Sequence, residues 1–367
     1  MCDIFTRQDA MSLLQGKYIL MLGDSNMRAL YKDLIWLLET NTLIESHQLR
    51  TKMEKSFLGD KRTAGDKLHK ARNFTETRVY EASMRNHNVR VKYSFLTKCY
   101  SEEVKNMLGA IKSGASYCPD VVVVNSCLWD ISRWGPNGVP EYKDNMVKLM
   151  RLFKSCLPKQ TCVIWMTTLP ISASCRGGFL IKQVEFLRHT MRFEVMEANM
   201  YARDVVASFG FDVLDVHYYM RMQIHRRSSD GVHWLPSAMR HITNILLTHI
   251  ALVWNRTLPG NFSSLALEKA KVLTVKEKKH EFKLPEVPNI FIREKQSGPP
   301  ECCRLRARAP LKDCATRRRR AARTQFEEHA QRSNWPAQLQ FIQHSDTAAV
   351  DPELNSWNMA EGLKYHV

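Results

Sequence analysis

Short, nearly continuous apolar runs alternate along this chain with longer stretches in which apolar residues return every three or four positions. Tyr18–Leu22, Val121–Val124, Thr161–Met166 and Phe211–Val216 read as strands, and three of them are nearly continuous in apolar character, which predicts strands covered on both faces, as in a parallel sheet. Met27, Leu30, Tyr31, Leu34 and Leu38 recur at three and four residues and predict a helix directly after the first strand. Leu180, Val184, Leu187, Met191, Val195, Ala198, Ala202 and Val205 predict one long helix stopped by Gly210. Pro236 suits a first helical turn, and Met239, Ile242, Leu246 and Ile250 carry that last helix onward. Alternation over Thr77–Phe95 puts Val89, Val91, Tyr93 and Phe95 on one face, with a turn at Asn86-His87-Asn88, so a hairpin or edge strand pair is expected there. Gly59–Asn73 is polar and charged and reads as a surface loop or a lid.

Strands alternating with helices predict an α/β architecture, a central and mainly parallel sheet between helical layers. After Pro259 the rhythm ends, and Lys, Glu, Pro and Arg dominate. The domain boundary is placed near Leu265: residues 1–265 form the globular domain, and residues 266–367 a basic, largely disordered tail with a helical piece around Leu267–Lys279.

Composition changes this picture little. At 367 residues and 44% hydrophobic the chain can bury one large core or two small ones, which excludes disorder of the whole. The net charge of +17 matters more for its location. Between Arg304 and Arg323 nine basic residues face one acid, Asp313, for a local +8. Arg317-Arg318-Arg319-Arg320 is the densest run; such runs are solvated, bind nucleic-acid phosphates by counterion release, or serve as nuclear import signals. No segment reaches the roughly 18 apolar residues of a membrane span. Met1–Gln15 lacks the basic and apolar regions of a secretory signal, so a cytoplasmic or nuclear location is expected, with the sequons at Asn73, Asn255 and Asn261 unglycosylated. The ten cysteines are scattered without C-x-x-C or zinc spacing; reduced thiols and no metal are expected, with Cys118, Cys127 and Cys162 as small hydrophobes in or beside strands.

Three polar blocks sit where this architecture exposes side chains. Gly23-Asp24-Ser25-Asn26 joins the first strand to its helix, at the strand edge where open α/β sheets bind ligands. A serine there has free backbone N–H groups and the positive helix end beside it, both suited to a developing oxyanion, although Ser25 can equally be a plain N-cap. In Ser229-Asp230-Gly231-Val232-His233-Trp234 a carboxylate three residues before an imidazole can bond Nδ1 and fix the tautomer, leaving His233 to take the Ser25 proton as general base. A satisfied surface histidine is the plainer alternative; what favours catalysis is that both loops should open on one rim. Asn125, after Val121–Val124, can donate its amide to a tetrahedral oxyanion or serve strand-end turn chemistry. For Asp130 a structural cap or loop hydrogen bond is favoured.

Together, the GDS turn, the strand-end Asn and the DxxH resemble the SGNH/GDSL hydrolase superfamily, and the GDSNMRALY and DGVHWLP forms resemble its PC-esterase family over roughly Gly16–Trp254. That resemblance implies a three-layer, flavodoxin-like fold, Ser25 as nucleophile with Asp230 and His233 completing a triad, and no metal or organic cofactor. Arg28 falls at the Arg of the family's GDSxxR pattern and is grouped with Asp24 and Asn125 as an oxyanion or substrate contact; for Arg28 an anionic or sugar-bearing substrate and a surface salt bridge are both open. The superfamily's second-block glycine has only loose candidates in Gly59 and Gly65. The implied activity is a serine acyl esterase, or an acyltransferase using the same acyl-enzyme, acting on an acylated small molecule, carbohydrate or glycoprotein. A non-catalytic binding or scaffold protein that keeps the fold is the alternative.

Overall fold

In the computed structural model, residues 2–65, 73–84, 87–135, 137–180 and 182–265 are described. The tail expected from residue 266, with its helical piece and arginine run, lies outside them.

The elements are α1 (Arg7–Leu14), β1 (Tyr18–Gly23), α2 (Ser25–Glu39), α3 (Ser46–Arg50), β2 (Lys61–Ala64), β3 (Thr77–Met84), β4 (His87–Phe95), α4 (Glu102–Lys112), β5 (Val121–Val124), α5 (Leu128–Arg133), α6 (Gly138–Cys156), β6 (Cys162–Met166), α7 (Met191–Ser208), β7 (Asp212–Leu214), α8 (Val216–Met220) and α9 (Pro236–Val253). One sheet runs β2-β3-β4-β1-β5-β6-β7. From β4 to β7 every pairing is parallel, while β3 and β2 add an antiparallel edge. The fold is therefore α/β, with the mainly parallel sheet expected.

The dense apolar runs become central strands because period-2 alternation sends successive residues to opposite faces, and both faces are covered. Ile19 and Met21 of β1 join one core cluster, with side chains of α1, α2 and α9. Leu20 and Leu22 join the other, against α4, α6 and α7. β5 divides in the same way, Val121 and Val123 against Val122 and Val124. Three layers follow.

Three expectations shift. The long helix over Leu180–Val205 is broken: Lys182–His189 is a tight 3-10 stretch with Val184 at φ −120°, and regular helix begins only at Met191. None of the 3-10 residues is buried, so tertiary packing, which supplies most helical stability, does not impose α geometry there. The Gly59–Asn73 loop contributes β2, an edge strand paired to β3; residues 66–72 lie outside the described part. In the hairpin, Met84 pairs with His87 and Ser83 with Asn88, so His87 and Asn88 belong to β4 and not to the turn expected at 86–88.

α2 holds the site from beneath and is almost wholly buried, charged residues included: Arg28, Lys32 and Asp33 are all inside. Each finds a partner, as buried charges require. Arg28 Nη1 lies 3.0 Å from Glu76 Oε2, Lys32 Nζ 2.6 Å from Glu54 Oε1, and Arg240 Nε 3.0 Å from Asp33 Oδ2. Arg78 from β3 closes the cluster by binding both Asp60 oxygens, at 2.7 and 2.9 Å, and Glu76 Oε1 at 3.2 Å. Tyr31 of α2 donates to Asp60 at 2.9 Å, so a ladder of charge ties α2 to β3 and the 54–60 loop. Arg78→Met leaves Asp60 without its cation in the interior and Glu76 with Arg28 alone, and urea unfolding is expected to show a loss of about 3–5 kcal/mol.

Candidate active site

β1 delivers Ser25 to the rim formed by the C-terminal ends of the parallel strands. Gly23 makes the delivery possible: a Cβ there would sit 2.8 Å from Met27 Cβ and 2.9 Å from the Asn125 carbonyl oxygen, so the β1 and β5 exits press together only without a side chain. Asp24 then caps α2, its Oδ1 accepting the Asn26 N–H at 2.9 Å. Burial pushes the Asp24 carboxyl up against the pull of that N–H. The cap is thus Asp24, and Ser25 is the first residue of the helix, half-buried, with the first-turn N–H groups around it.

The 228–234 loop supplies the facing groups. Gly231 occupies the left-handed region at φ +77°, and a Cβ there would come within 2.6 Å of Ser172 Cβ. Ser172 N–H bonds the Gly231 carbonyl and Arg176 N–H the Asp230 carbonyl, both at 2.8 Å, which clamps the loop against the chain that follows β6. From the other side Arg50 of α3 donates to the Ser228 hydroxyl at 2.8 Å. Asp230 Oδ1 accepts the N–H groups of Val232 and His233 at 2.8 and 2.9 Å, so the carboxylate is oriented by the backbone of its own turn. Burial raises the Asp230 carboxyl's affinity for a proton, but those two N–H groups and the imidazole outweigh it and hold the group below the ordinary carboxylate range.

These two turns meet. Ser25 Oγ lies 2.7 Å from His233 Nε2, and His233 Nδ1 lies 2.8 Å from Asp230 Oδ2, a continuous hydroxyl–imidazole–carboxylate chain across 208 positions of sequence. A carboxylate can only accept, so Nδ1 carries its proton toward Asp230 and Nε2 is left to accept from the serine hydroxyl. Asn26, the fourth residue of the GDSN block, bridges the turns by donating to the Val232 carbonyl at 3.4 Å. Its place beside Ser25 in the turn is the one sequence signal for this role.

The three companion residues take other positions. Asn125 lies at the expected strand end, but both amide hydrogens are engaged, with the Met166 carbonyl at 2.7 Å and the Thr168 hydroxyl at 3.1 Å. It latches the β5 exit to the β6 exit, and an oxyanion would have to displace one of those bonds. Arg28 makes no surface salt bridge and carries no free charge for a substrate: it is buried and neutralised by Glu76, because the residue before β3 folds over α2. Asp24, likewise expected at the oxyanion or substrate, is spent as the helix cap. Gly59 and Gly65 flank β2 at the sheet edge. An apolar pocket lined by Met27, Leu30, Met166, Val216 and Met239 opens beside Asn26 and Asn125.

Cys127 and Cys162 are buried as expected of small hydrophobes, whereas Cys118 is exposed. Among the described residues no three His, Cys, Asp or Glu side chains group as a metal site would need, and no helix is long and apolar enough to cross a membrane.

No family model matches the chain. It is 36% identical to PC-esterase domain-containing protein 1A of Homo sapiens over 258 residues, 70% of this chain and 56% of that protein. It is also 36% identical to PC-esterase domain-containing protein 1B of Mus musculus over 256 residues, 68% of this chain and 59% of that protein. The chain thus spans little more than half the length of the curated relatives it matches. Among solved structures it resembles a peptidoglycan O-acetylesterase, with 8% identity, a TM-score of 0.41, and coverage of 67% of this chain and 95% of that one.

Behind the rim, Asp130 takes the structural role expected of it, accepting the Cys99 N–H at 2.8 Å and the Ser126 hydroxyl. Burial pushes its carboxyl up from 3.8 to about 6, against the pull of those donors. The fold therefore favours the neutral form: the stability it contributes is whole below about 3.8 and is lost as pH rises to about 6. Asp130→Asn keeps an acceptor for Cys99 and offers a donor to Ser126. Urea unfolding across that window is expected to show a flatter decline for the variant, which at neutral pH should match or exceed wild type by about 1–3 kcal/mol.

Proposed function

The chain belongs to the PC-esterase family, and from that premise we propose that it is a serine acyl esterase, with Ser25 as nucleophile, His233 as general base and acid, and Asp230 as the group that orients the imidazole. The observation that carries this reading is the pair of contacts at 2.7 and 2.8 Å that links the Ser25 hydroxyl through His233 to Asp230.

The chemistry follows from the geometry. His233 Nε2 takes the Ser25 proton as Oγ attacks the acyl carbonyl, and the carbonyl π electrons move onto oxygen. The oxyanion forms over the N-terminus of α2, where the Ser25 N–H and the helix dipole favour negative charge. Because Asn125 is committed to Met166 and Thr168, the helix terminus, and not its amide, carries the stabilisation in this reading. Collapse breaks the bond to the leaving alkoxide, which receives the proton from imidazolium, while Asp230 balances the charge on the ring. Water, activated by the same Nε2, then cleaves the acyl–Ser25 bond and releases the acid. A second alcohol entering in place of water would make the same acyl-enzyme a transferase. The substrate class that suits a rim open to solvent is an acylated small molecule, carbohydrate or glycoprotein.

A fluorophosphonate probe tests the first step. Mass spectrometry is expected to find the adduct on Ser25 in wild type and none in Ser25→Ala. Turnover of short-chain acyl esters is expected to fall about 10³-fold or more in Ser25→Ala and in His233→Ala, as in hydrolases whose triads act as a unit. A folded wild type that neither labels nor turns over would favour the binding or scaffold protein.

A further inference from the structure

Between β7 and the 228–234 loop runs His217-Tyr218-Tyr219-Met220-Arg221-Met222-Gln223-Ile224-His225-Arg226-Arg227, a segment with three arginines, two histidines and no acid. It emerges at the C-terminal end of β7, on the rim that carries the site. It is also tied directly to the site loop: Arg227 pairs with Trp234, Leu235 N–H bonds the Arg226 carbonyl at 2.9 Å, and Ser228 N–H bonds the His233 carbonyl at 2.7 Å.

Two properties of this segment conflict with a surface meant only for water. Large apolar side chains stand out from it, Met222 at 79% exposure, Tyr218 and Ile224 at 55% each. Among the described residues its arginines also have no acidic partner. Arg221 bonds the Tyr218 carbonyl at 2.6 Å and lies over the Tyr218 ring, Arg226 contacts Ser237 and Gln223, and Arg227 contacts the Pro170 carbonyl. Uncompensated cations beside projecting aliphatic and tyrosine side chains match a layer with anionic phosphates at its surface and hydrocarbon just below. A polyanion such as nucleic acid would satisfy the arginines and leave Met222 and Ile224 in water. The neighbouring α7 extends the apolar character, with Met196 and Met200 exposed on either side of Asn199, whose amide meets His217 at 3.1 Å.

We propose that residues 218–227 form a peripheral docking surface for anionic phospholipid, which seats the rim bearing Ser25 and His233 against a membrane face. The arginines hold phosphates and Met222 and Ile224 enter the acyl boundary, while no helix among the described residues is long and apolar enough to cross. Nothing in this depends on the chemistry assigned to Ser25.

Sedimentation of the full chain with phosphatidylcholine vesicles, with and without phosphatidylserine, tests it. Wild type is expected to partition onto the phosphatidylserine vesicles, and Ser25→Ala to do the same, which separates docking from the esterase reading. Met222→Ser combined with Ile224→Ser is expected to lower the partition coefficient about tenfold or more, and Arg221→Gln about fivefold, with the thermal transition unchanged because all three side chains are exposed. A variant with Arg317, Arg318, Arg319 and Arg320 changed to Gln controls for the tail and is expected to retain the rim-dependent part. The proposal is overturned if wild type stays in the supernatant, whatever else the segment binds, or if the rim variants sediment like wild type while the tail variant does not.

Discussion

The contact between Ser25 Oγ and His233 Nε2 joins two turns 208 residues apart, and much of the surrounding structure serves to hold those turns together. A hydroxyl and an imidazole can exchange a proton only within hydrogen-bond reach and in a fixed orientation, and here freedom is removed from both sides. On the serine side this is done by the bare backbone of Gly23 against the Asn125 carbonyl and by the Asp24 cap. On the histidine side, left-handed Gly231, the Ser172 and Arg176 amides and the Arg50 guanidinium clamp the loop, and Asp230 is aimed by the N–H groups of its own turn. Asn26 then stitches the two sides.

Beneath the rim, α2 buries three charged side chains, Arg28, Lys32 and Asp33. Ion pairs taken out of water contribute little net stability, yet they fail badly when one partner is missing, so they enforce a particular arrangement. Here the arrangement is the approach of β3 and the 54–60 loop to the helix that presents Ser25, through Glu76, Arg78, Asp60 and Tyr31. Asn125, Thr168, Asn199 and His217 form a second polar chain behind the β5 and β6 exits, linking the rim to α7 and α8. The site is thus fixed by polar connections at the rim and by two apolar cores below it.

How far the sequence could be read depended on the range of the interactions. The central strands were visible because burial on both faces leaves a dense apolar run, as in Val121–Val124, and the two site turns because Gly-Asp-Ser and Asp-x-x-His each carry a local constraint. Arg28 misled because its partner, Glu76, is 48 residues away with no local pattern to announce it. Asn125 was placed correctly at its strand end, but its amide partners, Met166 and Thr168, belong to another strand exit. The break before Met191 was invisible for a related reason: Leu180, Val184 and Leu187 keep helical spacing, and only the absence of burial around them separates a 3-10 stretch from a helix. β2, with its polar Lys61-Arg62-Thr63, gave no apolar signal because an edge strand can face water.

The coupling of Ser25 to His233 is most directly measured by a double-mutant cycle on acyl-ester turnover, comparing Ser25→Ala and His233→Ala with the variant that carries both. If the imidazole acts through the serine hydroxyl, removing the second group after the first changes kcat/KM by no more than a few-fold. Losses that multiply, each substitution exacting its full effect whether or not the other is present, would mean that the two side chains work independently and would contradict a catalytic pair.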